Sequence, residues 1–297
     1  PRIANTEEWN ANIAVGAWVT GASMNTARGR AGDAGTRTSA LVFGGETVPG
    51  ATAATEQYNG TAWAEVNDLN INTRQCAGTG TTSAALAFGG ETPAVAAEDK
   101  TELWNGYVWT EVNDLNTARR DLNGIGTSTA ALAISGFAPP NTAVTESWNG
   151  TNWTEVNDLN TARNNFGAAG TQTSGLAFGG SVTPNQQTEL WNGTNWTEVN
   201  DLNTGASTNG GSGADNTSVL NYGGYNPAGT NLANTELWNG TNWINVQDMN
   251  LARDFVASSK AGTSTAALAS GGGDGPLFAD TQEWYGDGKL TETFTTS

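Results

Sequence analysis

The sequence has no histidine, a single cysteine and few basic side chains: 12 Lys and Arg stand against 29 Asp and Glu, a formal net charge of −17. The missing histidine removes the commonest metal ligand and the commonest general base. Cys76 alone cannot form an internal disulfide and reads as a small buried residue. With no basic footprint, nucleic-acid binding is excluded, and an anionic membrane surface would repel the chain. No apolar run is long enough for a spanning helix, so membrane insertion is not expected. No secretory leader pattern is visible, and the start at Pro1 without methionine leads us to expect an upstream segment.

Hydrophobic residues make up only 37%, yet there are 12 Trp and 39 Gly, a core of a few large aromatics among many small residues rather than a disordered composition. These residues fall in a repeat. Thr-Glu-Leu-Trp-Asn-Gly-Thr-Asn-Trp-Thr-Glu-Val-Asn-Asp-Leu-Asn-Thr occupies Thr188–Thr204 and recurs at Thr145–Arg163, Thr101–Arg119, Thr55–Arg74 and Thr235–Arg253. Weaker copies stand at Thr6–Arg28 and Thr281–Thr296. The opening aromatics are Trp9, Tyr58, Trp104, Trp148, Trp191, Trp238 and Trp284, spaced 49, 46, 44, 43, 47 and 46 residues apart.

A period in the forties, with β-type residues and Gly-Gly pairs, marks a four-stranded propeller blade. In one unit the strands are predicted at Phe166–Thr171, Gly175–Gly180, Thr188–Asn192 and Trp196–Leu202. Asn192-Gly193 predicts a tight hairpin with both central residues at positive φ. The two tryptophans of each unit predict packing between neighbouring blades.

Six inner-strand pairs end at Gly45, Gly90, Gly136, Gly180, Gly224 and Gly272, but there are seven outer pairs, because Thr6–Asn25 has no inner pair before it. The expectation is a single all-β propeller domain over 1–297, with seven blades of which the first (residues 1–30) is incomplete and six full blades follow over 31–297. Six blades is the alternative.

The connections from second to third strand differ from one another (Glu46–Ala54, Glu91–Lys100, Phe137–Val144, Ser181–Gln187, Tyr225–Asn234, Gly273–Asp280), whereas the hairpin from third to fourth is nearly constant. One end of the ring is therefore variable, which is where recognition normally resides. Arg28, Arg74, Arg119, Arg163 and Arg253 precede successive blades and are the candidate ligand-binding residues, for an anion or an acidic sugar. The competing and simpler reading pairs them with the third-strand Glu7, Glu56, Glu102, Glu146, Glu189 and Glu236. The Asn-Asp-Leu-Asn segments (from Asn67, Asn113, Asn157 and Asn200) offer oxygen ligands but lack the spacing of a calcium loop, so they read as turn formers. No metal, cofactor or catalytic residue is assigned.

The Gly-Gly pairs (Gly44-Gly45, Gly89-Gly90, Gly179-Gly180, Gly223-Gly224, Gly271-Gly272), the third-strand aromatic, a Trp five residues later and the following Arg together resemble a kelch-type repeat. The third unit departs with Ser135-Gly136, and the fifth has no Arg. The wording of the repeat also resembles kelch-like repeats of marine bacteriophage structural and tail-fibre proteins. That resemblance implies a non-enzymatic virion surface or extracellular module, with other virion subunits and a host-surface glycan or protein as partners. A purely architectural role in a particle is the alternative. The copper site of galactose-oxidase-type propellers needs histidines and cannot form here, and the aspartate box of sialidases is absent.

Overall fold

The computed structural model describes residues 16–94, 96–273 and 275–286. Every regular element among them is a β-strand, and the 24 strands form six four-stranded antiparallel sheets. The inner strands of successive sheets touch one another around to the first, so the sheets are the blades of a closed six-bladed β-propeller. The first five blades span Gly32–Val66, Ala77–Glu111, Asn123–Val156, Gly167–Val199 and Gly210–Asn245. The sixth is built from Ala257–Ser258, Ala266–Ser270 and Thr281–Tyr285, with Ala17–Thr20 as its outermost strand.

That last pairing corrects the expectation of seven blades. Ala17–Thr20 does not belong to an incomplete first blade; it pairs antiparallel with Thr281–Tyr285, setting Trp18 opposite Trp284. The N-terminal segment therefore completes the last sheet as its fourth, outermost strand, a short edge like that of the other blades. Trp9 and Glu7, which suggested a separate outer pair, lie outside the described residues, as do residues 287–296 of the last copy.

In the fourth blade the strands run Gly167–Thr171, Ser174–Phe178, Thr188–Trp191 and Trp196–Val199. Inner strands are small because their neighbours are close: in the second blade a Cβ on Gly78 would lie 2.4 Å from the Asp33 carbonyl of the preceding blade. The outer-strand tryptophans fill the space between blades. Trp109, Trp153 and Trp243 lie edge-on to Phe43, Phe88 and Phe178 of the preceding blade, with centroids 4.8–5.0 Å apart. Each such ring removes enough apolar area from water to contribute about 2–3 kcal/mol.

The hairpin differs from the expected two-residue turn. Trp191 pairs with Trp196, leaving four residues in the loop, and of these only Gly193 has positive φ. The Asn192 side-chain oxygen accepts the N–H groups of Thr194 and Asn195, both at 2.9 Å, so a side chain supplies the turn that a second left-handed residue would have made. At the Gly-Gly corner of the third blade, Ser135 adopts φ 51°. Its hydroxyl lies 2.6 Å from both the Thr142 and Arg163 carbonyls, donates its one proton between them and accepts the Arg163 N–H at 3.1 Å, which offsets the strain that glycine avoids elsewhere.

Candidate functional site

The crossover entering each blade and the loop leaving its second strand meet at one end of the ring. Bridges between Gly29 and Glu46, Arg74 and Glu91, Arg120 and Phe137, Ser207 and Tyr225, and Asp254 and Gly273 tie them together. The variable loops therefore surround the mouth of the central channel.

That mouth is a closed belt of backbone hydrogen bonds. Arg30, Gln75, Asp121, Asn165, Thr208 and Phe255 occupy equivalent positions, one per blade, and all have left-handed φ between 49° and 58°. Each N–H in turn donates to the carbonyl of its predecessor: Gln75 to Arg30, Asp121 to Gln75, Asn165 to Asp121, Thr208 to Asn165, Phe255 to Thr208 and Arg30 to Phe255, at 2.6–3.3 Å. Left-handed backbone costs on the order of 1 kcal/mol at a residue with a side chain. Here the closed circle of bonds holds all six in it, with their side chains gathered around the opening.

Below the belt lies an axial well of about 90 Å³, lined by Asp33, Asn123, Ser258 and Lys260 among others. Lys260 sits in the sixth blade, where the inner strand is regular only over Ala257–Ser258. Its ammonium reaches across the axis to the opposite third blade, donating to Asn123 Oδ1 at 2.9 Å, and lies 3.9 Å from Asp33 Oδ1. The other Asp33 oxygen accepts the Ser258 N–H. Asp33 Oδ1 receives no hydrogen bond, and neither does Gln75 Oε1 on the wall above. Burial pushes the Asp33 carboxyl up to about 6 against the opposing pull of Lys260, and burial pulls the Lys260 ammonium down. Burial likewise raises Asp121 to about 6, opposed by Arg120 and Arg30.

The rim is asymmetric. Over the first three blades it carries a chain of alternating charges. Arg30 pairs with Glu46 at 3.4 Å, Arg74 with Glu46 at 2.7 Å and with Glu91 at 3.0 Å, and Arg120 with Glu91 at 2.5 Å. In the next two blades the equivalent pairings are neutral, Ser181 with Asn164 and Ser207 with Tyr225. Between the sixth and first blades a groove of about 340 Å³ runs outward from Arg30 and Phe255, walled by Glu46, Val48, Asp254 and Leu277.

The arginine candidates divide. Arg28, Arg119, Arg163 and Arg253 are fully buried. The first three hold Glu56, Glu146 and Glu189 at 2.5, 2.5 and 2.8 Å, and Arg253 holds Asp280. Other guanidinium N–H groups reach backbone carbonyls, such as Arg28 to Ala54 and Arg163 to Gln187, while Nε of Arg163 and of Arg253 is buried without a partner. The same glutamates accept backbone N–H groups of the arriving crossover, Asn25 to Glu56 and Asn160 to Glu189, and so clasp the crossover to the blade it enters. Arg74 is displaced by one position from this series. Thr73 occupies the buried place and Arg74 turns out to the rim, where its bond to Glu91 holds its pKa above the usual range.

The Asn-Asp-Leu-Asn segments are structural as well. Asp68, Asp114, Asp158 and Asp201 accept the N–H that opens the third strand, at 3.1–3.2 Å, and Leu69, Leu115, Leu159 and Leu202 are buried. Among the described residues no group of three His, Cys, Asp or Glu is placed to hold a metal ion. Cys76 is buried and unpaired, its thiol pushed up to about 12 by burial.

Sequence reasoning missed Arg30, Asp33, Asp121 and Lys260. Two of them left a signal: Asp33 stands in an inner strand otherwise made of Gly, Ala and Thr, and Lys260 directly follows the Ala-Ser-Ser run of the sixth blade's innermost segment, where a charge has no place unless the axis uses it. Neither a protein-family model nor a curated protein matches this chain.

Proposed function

We propose that this propeller is a non-enzymatic recognition module of a virion surface or tail-fibre-like assembly, binding a host-surface component such as a glycan through the end of the ring that carries the variable loops. The observation that carries the reading is the concentration of basic side chains at that end. Of the basic side chains among the described residues, Arg28, Arg119, Arg163 and Arg253 are buried in ion pairs. Arg30, Arg74, Arg120 and Lys260 surround the axial mouth, which leaves Arg37 and Lys100 for all the rest. In a chain of net charge −17, the mouth is where four of the ten basic side chains among the described residues gather, alternating with carboxylates within reach of a ligand. The kelch-like wording of the repeat supports the phage assignment.

The test is glycan-array and whole-cell binding by the intact chain, beside a variant whose 47–52 and 226–231 loops are replaced by Gly-Ser linkers of equal length. Loss of binding in the loop variant, with retention in Tyr107→Ser on the opposite hairpin end, supports the reading. Equal binding by both variants places recognition away from the variable loops, and no binding by the parent chain turns the case toward a purely architectural particle protein.

A further inference from the structure

We propose that the axial well is a binding site for a neutral hydroxylated ligand, the terminal unit of a saccharide, with one hydroxyl seated between Lys260 Nζ and Asp33 Oδ1. This deepens the glycan reading above and rests on it for the biological source of the sugar.

The argument begins with what the well leaves unpaired. Lys260 is buried, and its ammonium has three N–H donors. One goes to Asn123 Oδ1 at 2.9 Å, while Asp33 Oδ1, at 3.9 Å, is beyond a hydrogen bond. Asp33 Oδ1 itself is buried without a donor. A donor with protons to spare therefore faces an acceptor with none, across a gap too wide for them to meet. Buried polar groups in this condition are normally satisfied by something else. The well also exceeds the space one water needs, so it accommodates more than a single bridging solvent molecule.

The chemistry of the occupant follows from the pair. An ammonium or guanidinium group donates to Asp33 but meets the Lys260 charge. A carboxylate or phosphate accepts from Lys260 but meets Asp33, with Asp121 above it and the −17 of the chain around it. A hydroxyl does both jobs at once: it accepts from Lys260 and donates to Asp33, and it brings no charge. Gln75 Oε1, also unpaired, stands on the same wall to receive a second hydroxyl. Several hydroxyls on one small rigid frame is the signature of a sugar rather than of a simple alcohol.

The surroundings fit a chain that continues outward. The groove between the sixth and first blades shares Arg30 and Phe255 with the well and opens toward Val48, which is 89% exposed. A terminal unit in the well would place the next units along this groove, against the loops that differ most from blade to blade. Lys260 fixes how deep the ligand reaches, because its side chain bars the channel from the sixth blade to the third. The well is thus a closed-ended cup and not a pore.

The test is calorimetric and saturation-transfer titration of the intact chain with methyl glycosides of glucose, galactose, mannose and N-acetylglucosamine, beside glucuronate, N-acetylneuraminate and glucosamine. At least one neutral glycoside is expected to bind, and at least tenfold more tightly than its charged counterpart. Lys260→Met and the near-isosteric Asp33→Asn are each expected to weaken it at least tenfold. Should Lys260→Met misfold, Asp33→Asn and a crystal soaked with the best glycoside keep the question open to refutation. Unchanged affinity in folded Asp33→Asn, tighter binding of the charged sugars, or soaked crystals showing water alone in the well would each overturn the proposal. Array binding that survives both substitutions leaves the glycan reading standing and removes only the axial site. Glycoside binding that depends on Lys260, without any host-cell binding, does the reverse.

Discussion

The indole N–H of Trp18 donates to Thr235 Oγ1 at 3.0 Å, joining residues 217 positions apart in the chain. Trp18 also lies 5.0 Å from the Tyr222 ring and 5.4 Å from the Trp284 ring, so one side chain binds the fifth blade to the sixth and the two ends of the chain to each other. Replacing it with alanine is expected to cost about 3–5 kcal/mol, the usual range for a buried aromatic. Trp18→Phe keeps most of the buried area and is expected to cost less, though the indole bond is lost with it. Urea unfolding of the two variants checks this. A loss under about 1 kcal/mol in Trp18→Ala would mean that ring closure does not depend on this strand.

The buried Arg163–Glu189 pair supports a second expectation. Arg163→Met leaves the Glu189 carboxylate buried beside an apolar side chain and should cost about 3–5 kcal/mol, whereas the double change to Met and Leu should recover much of that. The fifth blade already shows the alternative. Ala206 stands where four of the other five crossovers carry Arg, and Glu236 is held by the Asn203 and Thr204 N–H groups instead, its pKa raised by burial. Thermal denaturation of the single and double variants at pH 7 separates the outcomes. Equal losses in both would place the stabilisation in the crossover geometry and not in the charge pair.

Much of this was legible in the sequence, for a physical reason. Strand type, blade length and the Trp ladder are local, periodic properties, and side-chain alternation reports them directly. Partner choice between distant strands is not local. Trp18 reads equally well as the outer strand of a first blade or of the last, and only the pairing with Trp284 decides it. The axial mouth was hidden more deeply. Its six left-handed positions carry Arg, Gln, Asp, Asn, Thr and Phe, and share no residue type because a ring of backbone bonds imposes their conformation.

The indole series contains one broken member. Trp63, Trp109, Trp153, Trp243 and Trp18 donate to Thr281, Thr55, Thr101, Thr188 and Thr235 of the preceding blade at 3.0–3.2 Å. The sixth pair is Trp196 and Thr145, and both polar atoms are buried without partners. Thr145→Val should therefore be neutral or stabilising, while Thr101→Val removes a made bond and should cost about 1 kcal/mol, with more if the Trp153 N–H is left unsatisfied. Chemical denaturation of the two valine variants measures the difference. Equal costs would show that the fourth-blade bond forms in solution.

The absence of histidine makes one pH window easy to read. Nothing in the chain titrates between pH 5 and 8 by the ordinary histidine route, so carboxyls shifted upward dominate there. Asp33 is raised from 3.8 to about 6, chiefly by burial and against the attraction of Lys260. Its folded pKa lies above its unfolded one, so the folded state holds the proton more tightly. The stability this provides is complete below about pH 4 and is lost as the pH rises through about 6. The shift corresponds to roughly 3 kcal/mol at most. Asp33→Asn removes the titrating group while keeping its shape. Between pH 4 and pH 7 the parent chain should therefore lose up to about 3 kcal/mol more than the variant, after Asp121, also raised to about 6, has contributed equally to both. Urea midpoints at pH 4, 5, 6 and 7 give the two curves. Parallel curves would mean that Asp33 is as easily ionised in the folded ring as in the unfolded chain, and that Lys260 compensates its burial in full.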